Sequence, residues 1–428
     1  MSEKLDRTVI GDGIAVNLIQ DSKFKHDRIS VNFILPLRRE TATGYALLPF
    51  LMQRGYAGCS DFTAFSRKLD ELYGASVSGR VSRAGEYQII TLSIHHVDNR
   101  YTLAGEDLVA ECARLLADIV CKPDIRDGGF DPAVLATEKN SLLDTIAAEV
   151  NDKRSYAVAR CTELLFQGEP LAVKPHGYAE DVPAITPESA AASYYEMLRT
   201  AAIEIIVLGD GARPRVAELF AEAFRGVERR PITVRLAAEE KTPGEVRDIT
   251  EQMELTQAKM VMGFYTHPAG TREELAAARI AGAIYGASPF SKLFLHVREK
   301  LSLCYYCASR IVASSGYMLV DCGVEAANKE RAREEILRQL DEVCAGSFTA
   351  GELENAKLAV VNGLNTVTDS LQGLETWVLT EILQGGDNAG PAEEIACVQR
   401  VTPEDVQNYM KTARLSVVYL LAGEQKGE

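Results

Sequence analysis

Shifted along itself by about 230 residues, the sequence meets its own pattern twice. RKLDELYGASVSGRV (67–81) falls on REKLSLCYYCASRIV (298–312), and EKNSLLDTI (138–146) falls near ENAKLAVVNGL (354–364), the second match being approximate. A repeat this long means two copies of one folding unit, each with enough chain to close its own core. The length of 428 residues suits two such units. The functional surface is then expected in a cleft between their inner faces.

Hydrophobic spacing assigns the elements. A strand pair opens the chain between Arg7 and Gln20, and RISVNFIL (28–35) alternates as a half-buried strand does. Residues 44–54 and 61–73 have helical spacing, the second with Ser60 and Asp61 as candidate caps, and strands follow at 75–83 and 86–97. Helical stretches run over 103–119, 131–166 and 187–199, then a strand from Ala202 to Leu208 and a helix over 213–224. The charged stretch 226–246 contains two prolines and reads as a surface linker. Beyond it the order resumes, with a strand at 258–265, helices at 271–284 and 289–300, strands at 303–311 and 316–324, and long helices from 327 and 350. The expected division is an N-terminal domain 1–228, a linker 229–245 and a homologous C-terminal domain 246–428.

The net charge of -15 repels phosphate backbones and anionic lipid, so neither nucleic acid nor membrane is an expected partner. No apolar run approaches the ~18 residues of a membrane span. The start MSEKLDRT lacks the cationic and apolar regions of an export leader. Nine scattered cysteines, an odd number, suit reduced thiols in a cytoplasm better than a disulfide framework.

Metal and cofactor motifs are scarce. The six histidines, His26, His95, His96, His176, His267 and His296, include no i, i+4 pair, and His95 and His96 fall on opposite faces of a predicted strand. Cys304 and Cys307 form a single CxxC inside a predicted strand, where packing explains two small apolar residues. Gly209-Asp210-Gly211 lacks the full spacing of a phosphate loop and reads as a turn. No GxSxG elbow occurs.

One block is specific. SPFSKLFLHVREKLSLCYYCASRIVASSGYMLV (288–320) resembles the small-Ser-Arg-Leu-Phe…Arg-Glu-Lys…Tyr block of the pitrilysin/insulinase zinc-peptidase family, and the duplicated order resembles that family's paired domains over nearly the whole chain. The resemblance implies an α+β fold of two homologous domains, each a mainly antiparallel sheet covered by helices, arranged as a clam shell around a cleft. It also assigns Arg298 and Tyr305 to substrate binding. An arginine there donates a charge-assisted fork to a peptide carbonyl, and a phenol donates to a developing oxyanion. Tyr306 points to the opposite strand face and is the alternative to Tyr305.

Active members of that family carry HxxEH on the helix after the first long strand, with two histidines on zinc and a glutamate polarising its water. Placing the family's closing glycine on Gly55 of GYALLPFLMQRG (44–55) puts Ala46, Pro49 and Phe50 at the histidine, glutamate and histidine positions. Glu138 matches a family glutamate, but the ligand position seven residues on is Thr145. No catalytic set is complete, and no metal or other cofactor is expected in this chain.

The resemblance therefore extends to inactive subunits that lack HxxEH, as in bacterial inactive/active pairs and the non-catalytic subunit of mitochondrial processing peptidase. It implies a heterodimeric metallopeptidase whose zinc sits in an HxxEH-bearing homologous partner, with a peptide as substrate and a homodimer possible in isolation. ASVSGRVS (75–82) is the candidate edge to which a peptide adds as a strand, although its small residues fit a close-packed strand equally well. The alternative is an inert scaffold or peptide-binding protein, with an association to modification of elongation factor P implied by resemblance alone.

Overall fold

The structure is a computed structural model and describes residues 5–59, 61–235, 238–386 and 390–423. Residues 1–4, part of the start read for a leader, and Ser60, read as a cap, lie outside the described residues.

The first half follows the predicted order. β1 (Asp6–Gly11), β2 (Ile14–Ile19) and β3 (His26–Pro36) precede α1 (Ala42–Met52) and α2 (Phe62–Glu71), and a hairpin of β4 (Ser76–Ala84) and β5 (Tyr87–Val97) follows. Asp61 caps α2, its carboxylate accepting from the Thr63 and Ala64 amides. Next come α3 (Leu108–Cys121), a short hairpin of β6 (Ile125–Arg126) and β7 (Gly129–Phe130), α4 (Pro132–Ala148) and α5 (Lys153–Leu165). The single helical stretch expected over 131–166 is thus two helices. Asp152 starts the second by accepting from the Arg154 and Ser155 amides, a cap that turns the chain instead of continuing it. α6 (Pro187–Thr200), β8 (Ala202–Leu208) and α7 (Pro214–Ala223) complete this half.

The second half opens on β9 (Arg247–Gln252), a strand not expected from the sequence, then β10 (Ala258–Tyr265), α8 (Arg272–Gly282), β11 (Cys304–Val312) and β12 (Tyr317–Val324). The helices α9 (Lys329–Cys344), α10 (Ala350–Asn365), α11 (Leu371–Leu383), α12 (Pro391–Arg400) and α13 (Pro403–Met410) lead to β13 (Arg414–Ala422). Between α8 and β11, Ala283–Ala287 and Leu293–Lys300 are π-helical, a rare geometry that gathers at functional sites.

The two sheets repeat one plan. The first runs β1-β2-β8-β3-β5-β4 and the second β11-β12-β10-β13-β9. In each, one parallel pair (β2 with β8, β9 with β13) is followed by antiparallel neighbours, and the edge strand β4 corresponds to the edge strand β11. The fold is α+β, built as two similar mainly antiparallel sheets covered by helices.

The compact units do not divide the chain with one cut. One contains 1–148, 173–235 and 368–390; the other contains 149–172, 236–367 and 391–428. In the first unit α11 packs on β8, and Arg28 of β3 donates to the buried Glu375 of α11 at 2.9 Å. In the second, α5 lies on β10 and β13, where Arg154 donates to Asp321 at 2.5 Å, Tyr156 to Glu251 at 2.6 Å and Tyr265 to the Leu165 carbonyl at 2.6 Å. Each half of the sequence thus lends one helix to the sheet of the other. The linker is fastened too: Arg229 donates to the Asp12 carbonyl and Ile232 to the Thr200 carbonyl in the first unit, while Lys241 pairs with Glu169 in the second.

In the first sheet Ile29, Val31, Phe33 and Leu35 face the helices α1, α3, α6 and α7 in one apolar core, with Ile90, Leu92 and Ile94 beside them. The other face carries Ser30, Asn32, Thr91 and Ser93, all buried. Their burial is tolerated because they bond laterally: Thr91 donates to Asn32 at 2.8 Å and Asn32 to the Glu204 carbonyl at 3.1 Å.

Candidate functional site

The positions aligned above with the family's metal ligands lie on α1 and α4 of the first unit. Ala46 is fully buried, Pro49 is buried and Phe50 is half-buried against the core. Thr145 is exposed on α4 and spends its hydroxyl on the Ser141 carbonyl at 2.8 Å. Three hydrocarbon side chains and one committed hydroxyl offer no ligand set for zinc. Among the described residues no group of three or more His, Cys, Asp or Glu could hold a metal ion. The residues present do not fit the group.

Glu138 keeps its carboxylate there, almost completely buried. Arg54, just past α1, donates through Nε at 2.6 Å and brings Nη2 to 2.5 Å, with its guanidinium 5.3 Å from the Phe62 ring. A buried carboxylate needs a positive partner, and in this chain a guanidinium supplies it. The family resemblance pointed to Glu138 but not to Arg54, whose role appears only when α1 and α4 pack together.

Pro49 also explains a glycine. A Cβ on Gly79 would lie 2.7 Å from the Pro49 oxygen and 2.8 Å from its carbonyl carbon, so the backbones of α1 and β4 touch where only glycine fits. β4 is nevertheless the edge of its sheet. ASVSGRVS is therefore close-packed on one face and an edge strand in the sheet plane.

His26, His95, His96 and the glycine turn have structural explanations. His26 and His95 stack at 4.8 Å, while His96, on the other face, is buried and bonds through Nδ1 to the Val97 carbonyl at 2.8 Å. Burial pushes the His96 pKa down to about 4. Opposite it on β3 is Asp27, fully buried, whose Oδ1 accepts from the Gly211 amide at 3.2 Å. A Cβ on Gly209 would lie 2.0 Å from that carboxylate, so the Gly-Asp-Gly turn is glycine-rich because Asp27 fills it. Burial raises the Asp27 pKa to about 6.

The arginine and tyrosine lie in the second unit. Arg298 lies in the last turn of the π-helix Leu293–Lys300, its guanidinium 4.7 Å from the Phe294 ring and its Nε 3.4 Å from Glu299. Lys292, where the family block has arginine, is buried and anchors this helix by donating to the Ser347 carbonyl at 2.8 Å beside Glu352 at 3.1 Å. The following strand settles which tyrosine stands out. Cys304 pairs with Val324 but Tyr306 with Gly323, so Tyr305 is the extra residue of a β-bulge and stands 65% exposed. Tyr306 packs against Gly323, where a Cβ would meet its ring at 2.5 Å, and its ring takes the Arg154 guanidinium at 4.2 Å.

The same bulge turns Cys304 and Cys307 to one buried face, with Cys322 directly across from Cys307. All three are free thiols. Hydrogen bonding from the Cys307 thiol, aided by Arg298, lowers the Cys304 pKa, while Cys307 is raised. A separate cavity of about 340 Å³ in this unit is lined by His267, Glu274, Arg400 and Tyr409 among others, and by neither Arg298 nor Tyr305.

Residues 184–360 match the family model described as Peptidase M16 inactive domain. A protein of Bacillus subtilis named probable inactive metalloprotease YmfF is 28% identical over 416 residues, covering 96% of either chain. This chain is similar to the pitrilysin/insulinase (M16) peptidase family. A crystal structure of a conserved protein from Enterococcus faecalis superposes on this chain with a TM-score of 0.91 at 27% identity, covering 99% of this chain and 100% of that one. An M16 inactive-domain structure from Pseudomonas fluorescens, with a TM-score of 0.78, 17% identity and 99% coverage of each chain, shares the fold. By these likenesses the chain is an inactive M16 peptidase-like protein. No helix among the described residues is long and apolar enough to cross a membrane.

Proposed function

We propose that this chain is the non-catalytic subunit of a heterodimeric zinc metallopeptidase and that it contributes Arg298 and Tyr305 to a peptide held at the zinc of an HxxEH-bearing homologous partner. The observation that carries this reading is the bulge: it spends one residue of β11 to push the Tyr305 phenol into solvent, next to a π-helix whose last turn presents Arg298. An arginine in that place donates a charge-assisted fork to a peptide carbonyl, and the phenol donates to the oxyanion that forms as water attacks. The metal and the attacking water belong to the partner. Nine free cysteines favour a reducing, cytoplasmic setting for such a pair.

Peptide cleavage with zinc analysis tests it on this chain alone, the HxxEH candidate alone, and the two mixed, with wild-type or Arg298→Ala/Tyr305→Phe chain. Cleavage by the wild-type mixture alone is the expected result. Stoichiometric zinc and cleavage by this chain alone overturn the reading, and an inert mixture makes the chain a peptide-binding scaffold instead.

A further inference from the structure

An edge strand exposes the N–H and C=O of every second residue, and those groups are what an added strand pairs with. On β4 they can be assigned. The β4–β5 hairpin closes on Ala84 opposite Tyr87 around the two-residue turn Gly85-Glu86. The closing pair of such a turn is hydrogen-bonded, and bonded and non-bonded pairs alternate from it. Counting back along the register makes Gly79 opposite Leu92 a non-bonded pair. The Gly79 N–H therefore points away from β5, into the groove an incoming strand would fill.

That groove position is taken. The Gly79 amide donates to Oε1 of Gln53 at 3.0 Å. Gln53 is the C-cap residue of α1, and its own amide is tied to the Pro49 and Leu51 carbonyls, so its backbone cannot drift from the strand. The contact of the Pro49 carbonyl with Gly79 fixes the distance between helix end and strand. Both the acceptor and the glycine that lets it approach belong to one arrangement.

We propose that Gln53 is a built-in stopper on the β4 edge: its side-chain carbonyl satisfies the Gly79 amide, and an extended peptide pairs across Gly79 only after displacing it. The proposal rests on the peptide-binding reading and adds a specificity element. The occupant it controls is the backbone of an extended peptide, whose carbonyl would take the place of Gln53 Oε1. Peptides that pair only to one side of Gly79 are not penalised.

The test follows two readouts in wild-type, Gln53→Ala and Gln53→Glu chains. One is hydrogen exchange at the Gly79 amide, and the other is binding of a fluorescein-labelled neutral heptapeptide. The Gln53→Ala chain is expected to lose Gly79 protection and bind the peptide about two- to tenfold more tightly, the range for removing one competing hydrogen bond. The Gln53→Glu chain, which keeps an acceptor at the same reach, is expected to match wild type in both. A Gly79 amide that stays protected in Gln53→Ala overturns the stopper. Equal peptide affinity in all three chains, with Gly79 opened, overturns it while leaving peptide binding intact. If Gly79 opens and no chain binds peptide, the stopper and the peptide-binding reading fall together.

Discussion

Arg28 donates its Nε–H to the Glu375 carboxylate at 2.9 Å, and the two residues are 347 positions apart in the chain. Glu375 is fully buried and its other oxygen has no hydrogen-bond partner, so this one bond holds a charge out of water. It also joins α11 to the sheet of the opposite sequence half. Arg28→Ala is expected to cost about 3–5 kcal/mol, as removal of one member of a buried pair does, and Arg28→Leu/Glu375→Leu to recover most of it. The denaturant midpoint of each variant measures this. A midpoint unchanged in Arg28→Ala would show that α11 is held by packing alone.

Tyr305 and Tyr306 are adjacent but unequal. Tyr305→Ala removes an exposed bulge residue and is expected to change stability by no more than about 0.5 kcal/mol. Tyr306→Ala uncovers Gly323 and removes the ring beside Arg154, and is expected to cost about 2–4 kcal/mol. Thermal unfolding of the two single variants distinguishes them, and equal losses would place both rings in the core.

Asp27 and His96, opposite each other on β3 and β5, titrate against one another in stability. The Asp27 pKa is raised to about 6, so its penalty is absent below the ordinary carboxylate range and grows as pH rises from 4 to 6. The His96 pKa is lowered to about 4, so its penalty is absent above 6.5 and grows as pH falls toward 4. Each is worth on the order of 2–3 kcal/mol, and in the shared window they offset. Relative to wild type, Asp27→Asn is expected to lose stability more steeply as pH drops from 6.5 to 4, and His96→Gln to gain it. Stability curves of the two variants against pH check the signs. Asp98, Asp210 and Arg100 act on Asp27, and His95, His26 and Asp98 on His96, so these stay unchanged in the comparison.

Cys304 is expected to be alkylated before the other buried thiols. Its pKa is lowered by the Cys307 hydrogen bond and by Arg298, whereas burial pushes Cys112 and Cys161 up to about 12. A timed iodoacetamide reaction read by peptide mass spectrometry should label Cys304 at least about tenfold faster than Cys161, and Arg298→Ala should slow it. Labelling of Cys161 first would contradict the assignment.

Much of this architecture follows from chain-local information. Strand and helix order depends on residue periodicity, so RISVNFIL and AKMVMGFY announce β3 and β10 without any partner. The absence of zinc donors at Ala46, Pro49, Phe50 and Thr145 is a matter of side-chain chemistry and needs no fold to establish. The repeat of 67–81 in 298–312 marks the two equivalent edge strands, because an edge strand and the helix before it are continuous in sequence.

Other features had no local signal. Asp152, a cap that splits 131–166, was readable, but that α5 then joins the second sheet while α11 joins the first depends on contacts such as Arg154 with Asp321 and Arg28 with Glu375. Tyr305 or Tyr306 could not be chosen from alternation, since one bulged residue inverts the phase and the bulge is defined by the register with β12. Gln53 on Gly79, Arg54 on Glu138 and Asp27 in the glycine turn join elements that periodicity treats separately. The sequence by itself determined the elements, their duplication and the side-chain chemistry at Ala46, Pro49, Phe50 and Thr145, which are properties of residue type and local spacing. Tertiary structure alone decided the exchanged helices, the exposed tyrosine and the covered edge, because each is a relation between residues that only packing brings within reach.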